Sequence, residues 1–155
     1  MRAPYTQLYL HCVWATWDRR PLITPALESV IYAAIQAKCH ALQSPCQAIG
    51  GMPDHVHVLV RLHPAVAVAS LLKEIKGSSS HLMTHAAQPG EFFKWQGAYG
   101  AFTVSQPEAT KVMAYIEHQK EHHAGGKLWD EWEQTMIEAI QSSSGDEVRP
   151  APDSL

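Results

Sequence analysis

Apolar and polar positions alternate with period two along residues 5–17: Leu8, Leu10, Cys12 and Trp14 against Tyr9, His11, Val13 and Ala15. Such alternation predicts a long strand, ended by Arg19-Arg20-Pro21. Thr24 then reads as an N-cap with Pro25 at the first helical position. Leu27, Val30, Ile31, Ala34 and Ile35 recur at helical spacing, which predicts an amphipathic helix over 25–42. Residues 46–62 read as a hairpin: a short strand near Gln47–Gly50, turn material at Gly51–Asp54, and a β-branched strand over His55–Arg61. A second helix opens at Pro64 with Val68, Leu71, Leu72, Ile75 and Leu82 on one stripe, and Gly77–Ser80 is expected to weaken it or end it early. Residues 86–91 read as a loop and Trp95–Val104 as an irregular strand. Ser105 to Glu108 matches a capping box. The third helix should run to about His123, where Ala124-Gly125-Gly126 stops it.

The element order β-α-β-β-α-β-α predicts an α+β fold of the ferredoxin-like, split βαβ kind: an antiparallel sheet with helices on one face plus a further C-terminal helix. The other face is open to a ligand unless a helix or subunit covers it. A short fourth helix is expected over 128–140, with Trp129, Trp132, Met136 and Ile140. Residues 1–141 thus form one domain, and the Ser-, Gly-, Asp- and Pro-rich stretch 142–155 is expected to be disordered.

Composition adds limits. The 155 residues suit one domain, and 46 % apolar content supports a core. No apolar run approaches the ~20 residues that span a bilayer, and no signal peptide is evident. The expectation is a cytoplasmic protein with no membrane partner. Cys12, Cys39 and Cys46 are odd in number and form no Cys-x-x-Cys pair, so neither a disulfide framework nor a cysteine zinc site is expected. The net charge of −3 is uneven: residues 128–155 hold seven acidic side chains against Arg149, leaving residues 1–127 mildly basic. A basic body is compatible with phosphate contact.

The chemistry gathers in two places. His55 and His57 lie two apart on a predicted strand, so both imidazoles share one face while Val56, Val58 and Val60 take the core face. Two neutral imidazoles so placed can hold a divalent metal, and Asp54 can fix one ring's tautomer. On the third helix Tyr115, Gln119 and His122 form one polar stripe, with Tyr115 at the edge of the core face. A phenol is a weak nucleophile, with an ordinary pKa of about 10. A nearby cation can polarise a phosphate and stabilise the charge that develops on it.

Together these residues resemble a known family. Asp54 to Val60 is similar to the HUH motif, and Trp95 to Ser105 followed by Tyr115 to His123 is similar to the signature of the single-tyrosine HUH transposases. These are short insertion-sequence transposases and the related repeat-associated tyrosine transposases. The resemblance covers roughly residues 5–123. It implies that His55, His57 and Gln119 are metal ligands for Mg²⁺ or Mn²⁺. It implies too that Tyr115 is the catalytic nucleophile, attacking single-stranded DNA to leave a 5′-phosphotyrosine and a free 3′-OH. It implies a homodimer that recognises hairpin ends, in which Tyr115 acts with its own or the other subunit's histidines. Arg19, Arg20, Lys73 and Lys76, with Ser78–Ser80, are candidate DNA contacts, and Trp95 or Tyr99 could stack on unpaired bases or belong to the core. The chain departs from the family pattern at Ala98, where glycine is expected before Tyr99.

Two alternatives stay within DNA biology: a replication-initiator or relaxase nickase, and a domesticated DNA-binding module. Only Tyr115 stands at the right place for a nucleophile, which disfavours the former, and an intact His55, His57, Tyr115 and Gln119 set disfavours the latter. A histidine-triad hydrolase and a metallo-β-lactamase site both fail at Leu59.

Overall fold

The computed structural model describes residues 2–125. The strands are β1 (Tyr9–Ala15), β2 (Cys46–Met52), β3 (His55–Arg61) and β4 (Gly100–Val104). The helices are α1 (Pro25–Ala41), α2 (Val68–Leu82), α3 (Gln106–Glu117) and α4 (Gln119–Gly125). The sheet order is β2-β3-β1-β4 with every neighbouring pair antiparallel. The hairpin strand β3 is inserted between β1 and β2, which is the split βαβ arrangement expected from the element order.

Strand alternation divides the molecule into two layers of core. Leu10, Cys12 and Trp14 of β1 and Val56, Val58 and Val60 of β3 pack under Leu27, Ile31 and Ile35 of α1 and Leu71, Leu72 and Ile75 of α2. On the opposite face Ala48 and Leu59 pack against Ala109, Val112 and Ile116 of α3. Of the two outcomes left for this face, open to a ligand or covered by a helix or subunit, the structure shows cover by α3.

Several boundaries differ from the sequence expectation. Paired strand begins only at Tyr9, because that is where β1 gains both neighbours. β2 extends through Met52, leaving Pro53-Asp54 as a two-residue turn. Helix α2 starts at Val68, not Pro64, and runs unbroken through Gly77–Ser80. Within it the Ser79 hydroxyl donates to the Ile75 carbonyl at 2.7 Å and accepts from Trp95 Nε1 at 2.9 Å. A turn of π-helix over Met83–Ala87 follows. Trp95 makes one isolated bridge to Thr16, and regular strand begins only at Gly100. Thr24 and Ser105 hold N-cap positions, but neither side chain makes a capping hydrogen bond, so the capping box does not form. The third helix divides at His118 (φ −108°, ψ 28°) into α3 and α4. The helix expected over 128–140, the end of the 1–141 domain and the tail 142–155 lie outside the described residues.

One glycine sets how closely α3 approaches. Gly50 lies opposite His57 in the β2–β3 register. A β-carbon there would collide with the Ile116 carbonyl oxygen. The absence of a side chain on β2 lets the end of α3 lie directly on the sheet. Gly50→Val is expected to push α3 off the sheet and lower the unfolding free energy by roughly 1–3 kcal/mol, the usual range for overpacking. Urea denaturation measures this, and a variant as stable as wild type would mean that α3 does not dock at this point.

Candidate active site

The two histidines of β3 face α3 and α4, and both are buried. Their rings lie 5.1 Å apart, centroid to centroid. Each is held by a partner on a different element. Asp54 Oδ1 lies 2.8 Å from His55 Nδ1, so the carboxylate accepts and His55 carries its proton on Nδ1. Arg19 Nε donates in turn to Asp54 Oδ2 at 3.1 Å. The hydrogen bond from His55, together with the Arg19 charge, holds the Asp54 carboxyl below the usual aspartate range, against the opposing pull of its partial burial. His57 Nδ1 lies 2.9 Å from His11 Nε2, a buried imidazole on β1.

Helices α3 and α4 close the site from above. The Tyr115 ring stands edge-on to His57 at 6.0 Å and stacks on His122 at 4.9 Å. Tyr115 is buried, at 2 % exposure, and not at the edge of the core as its helical phase suggested. The phase was right for α3 alone, but the histidine layer and His122 enclose the ring. The side-chain amide of Gln119 donates from Nε2 to the Tyr115 carbonyl at 3.3 Å. This orients Oε1 toward His55 Nε2, 3.4 Å away, and toward His123 Nε2, 3.1 Å away. Lys120 ties α4 to α1 through both carboxylate oxygens of Glu28, at 2.8 and 2.7 Å.

The donor geometry suits a cation. With the His55 proton on Nδ1, its Nε2 lone pair and the Gln119 carbonyl oxygen converge at 3.4 Å. Two ligands at right angles around a small divalent ion stand about 3 Å apart, from metal–ligand distances of roughly 2.1 Å. His57 engages His11 through Nδ1, so Nε2 is the nitrogen that would bind. Among the described residues no three histidine, cysteine or carboxylate groups meet as a metal cage. The third donor is an amide, and a mixed nitrogen and oxygen set of this kind is compatible with Mn²⁺ or Mg²⁺.

The remaining candidates scatter. Arg19 is committed to Asp54. Arg20 lies over the Phe92 ring at 4.8 Å. Lys73 is exposed on α2. Lys76 donates to the carbonyls of Gln96 and Ala98 at 2.6 and 3.0 Å, fastening the loop before β4. Burial pushes the Lys76 amine down to about 8, while its two carbonyl acceptors favour the ammonium, so it stays charged at neutral pH. Trp95 is a core residue, edge-on to both Trp14 and Phe93. Sequence reasoning missed His11 and gave His122 and His123 no role. The signal for His11 was its alternation phase on β1, which places it on the same sheet face as His57 once the register is known. All three cysteines are free thiols, and no helix among the described residues is long and apolar enough to cross a membrane.

The fold is that of a repeat-associated tyrosine transposase solved bound to its REP hairpin, with a TM-score of 0.60 over 100 % of this chain and 90 % of that one at 16 % identity. A candidate transposase from Deinococcus radiodurans superposes with the same TM-score, 26 % identity and coverage of 77 % and 95 % of the two chains. The chain belongs to the IS200-like transposase family, whose sequence model matches residues 4–119. The ISDra2 transposase TnpA of Deinococcus radiodurans is 34 % identical over 73 residues, covering 44 % of this chain and 52 % of that protein. The chain thus matches about half the length of that relative.

Lys76→Met is expected to lower stability by roughly 1–3 kcal/mol, because two part-buried carbonyls lose their donor. Lys73→Met should stay within about 0.5 kcal/mol of wild type. Chemical denaturation of the pair distinguishes a structural lysine from an exposed one, and equal effects would contradict the placement of Lys76.

Proposed function

We propose that this transposase cleaves and rejoins single-stranded DNA through Tyr115, with a divalent cation, Mg²⁺ or Mn²⁺, held by His55, His57 and Gln119. The observation that carries the reading is the meeting of Tyr115, His57, His55 and Gln119 in one buried cluster, from three elements of one chain. A bound cation would supply charge to polarise a phosphate oxygen. The Tyr115 oxygen attacks the phosphorus, the bond to the 3′ oxygen breaks, and a 5′-phosphotyrosine and a free 3′-OH result. A 3′-OH of a second strand reverses the step and restores the phenol, so no external energy source is needed. Asp54 and His11 keep the two imidazoles in the tautomers and orientations that ligation needs.

The residues proposed for the chemistry meet within one chain, which supports a site built in cis in the homodimer implied by the resemblance. DNA with hairpin ends is the proposed substrate, supported by the hairpin bound to the structurally similar transposase.

The test is formation of an SDS-resistant protein–DNA adduct on single strands copied from the chain's own genomic flanks, with Mg²⁺ or Mn²⁺. Wild type is expected to form it, while Tyr115→Phe and His55→Ala form none. An adduct that persists in Tyr115→Phe removes that residue as nucleophile. DNA binding with no adduct in wild type favours a domesticated binding module. His11→Ala should weaken Mn²⁺ binding about 10- to 100-fold by calorimetry, the usual weight of a group that orients a metal ligand. An unchanged affinity would show that the His11–His57 contact is packing only.

A further inference from the structure

Beside the site lies a surface that the core does not explain. The chain from Phe92 to Trp95 alternates outward and inward. Phe93 and Trp95 are 5 % exposed, whereas Phe92 is 50 % exposed and Lys94 faces solvent. This segment runs against the turn that follows β1, with the Trp17 amide donating to the Lys94 carbonyl at 2.9 Å. Trp17 is 42 % exposed, and the Lys94 ammonium sits 4.0 Å from its ring centroid. The Arg20 guanidinium covers Phe92 at 4.8 Å. Two exposed aromatic rings, each with a cation against it, are therefore carried by adjoining segments.

The turn that presents them is held in an uncommon shape. Asp18 (φ 52°) and Arg19 (φ 48°) both adopt the left-handed conformation, which non-glycine residues rarely take and seldom in succession. The shape is fixed by the Thr16 hydroxyl donating to the Arg20 carbonyl at 2.6 Å and by the Asp18 amide donating to Gln96 Oε1 at 3.4 Å. A surface turn kept in a sparsely populated conformation by its neighbours is a pattern associated with function. The same turn sends Arg19 to Asp54, and Asp54 holds His55. The platform is thus joined to the proposed cleavage site through two consecutive side-chain contacts.

We propose that Trp17 and Phe92 stack on unpaired bases of the single strand beside the scissile phosphate, while Arg20 and Lys94 hold its backbone. The occupant follows from the chemistry of the surface. Flat apolar rings interleaved with cations match a ligand that alternates flat bases and anionic phosphates. This inference rests on the reading of the chain as a single-strand nuclease.

The experiment uses Tyr115→Phe protein, so that binding is measured without covalent capture. Two fluorescein-labelled probes are titrated by anisotropy: a hairpin with a single-stranded flank, both copied from the genomic ends, and the same hairpin cut blunt. Trp17→Ala and Phe92→Ala are each expected to weaken binding of the flanked probe by about five-fold or more, the effect of losing one base–aromatic stack. Trp17→Phe should retain most of the affinity. Both alanine variants should bind the blunt hairpin as before. Arg20→Gln and Lys94→Gln should each reduce the salt dependence by about one phosphate contact. Unchanged affinity for the flanked probe, or equal losses on both probes, overturns the platform. If the chain with Tyr115 intact still forms its adduct in that case, the nuclease reading stands without it. If it neither binds the flanked probe nor forms an adduct, both fall together.

Discussion

The structure depends on burying both faces of β3 when only one of them is wholly apolar. Val56, Val58 and Val60 need no more than the α1–α2 layer. His55 and His57, on the other face, are also withdrawn from water, and a polar group buried without a partner costs free energy. The face can close only where each ring finds a hydrogen-bonding neighbour. That requirement selects what surrounds it: His11 on the adjacent strand and Asp54 in the hairpin turn. The covering helices complete a polar network as well as a hydrophobic seal.

This arrangement explains why the proposed ligands are held from behind. Arg19, Asp54 and His55 form one chain of contacts, His11 and His57 a second, and the Tyr115 carbonyl with the Gln119 amide a third. Each begins on a different element, so no single strand or helix movement shifts all the donors together. Coverage of the sheet by α3 is possible because Gly50 presents only backbone beneath the Ile116 carbonyl. The absent side chain on β2 and the polar face of β3 are therefore two parts of the same packing solution.

Much of the fold was legible because periodicity carried it. The Val56, Val58 and Val60 phase assigned the core face of β3, and the element order predicted the split βαβ sheet. The pairing of His55 with His57 and the helical spacing of Tyr115 and Gln119 marked the candidate site, and the family model spans all four residues. What escaped was what depends on contacts between distant segments. His11 gained significance only through the β1–β3 register. Lys76 read as a surface cation because a sequence does not show that a loop 20 residues later offers it two carbonyls. Gly77–Ser80 looked like a weak point, yet Ser79 satisfies its hydroxyl inside the helix and against Trp95.

The break at His118 was equally invisible to helical spacing, and it bears on how Tyr115 and Gln119 cooperate. In a straight helix, residues four apart lie one above the other and point the same way. Here α3 ends at Glu117 and α4 begins at Gln119. At the junction the Tyr115 carbonyl accepts from the Gln119 side chain, which turns the amide oxygen toward His55. Tyr115 meanwhile keeps its ring against His57 and His122. The division lets one segment place the phenol and the next place the amide oxygen, each over a different histidine of the same strand. Since Lys120 joins α4 to α1 only through a solvent-exposed ion pair, which contributes little, the register of the two short helices is set mainly by the buried contacts of Tyr115, Ile116 and Gln119. The proposed nucleophile and the proposed third ligand are thus themselves part of what fixes the helices that carry them.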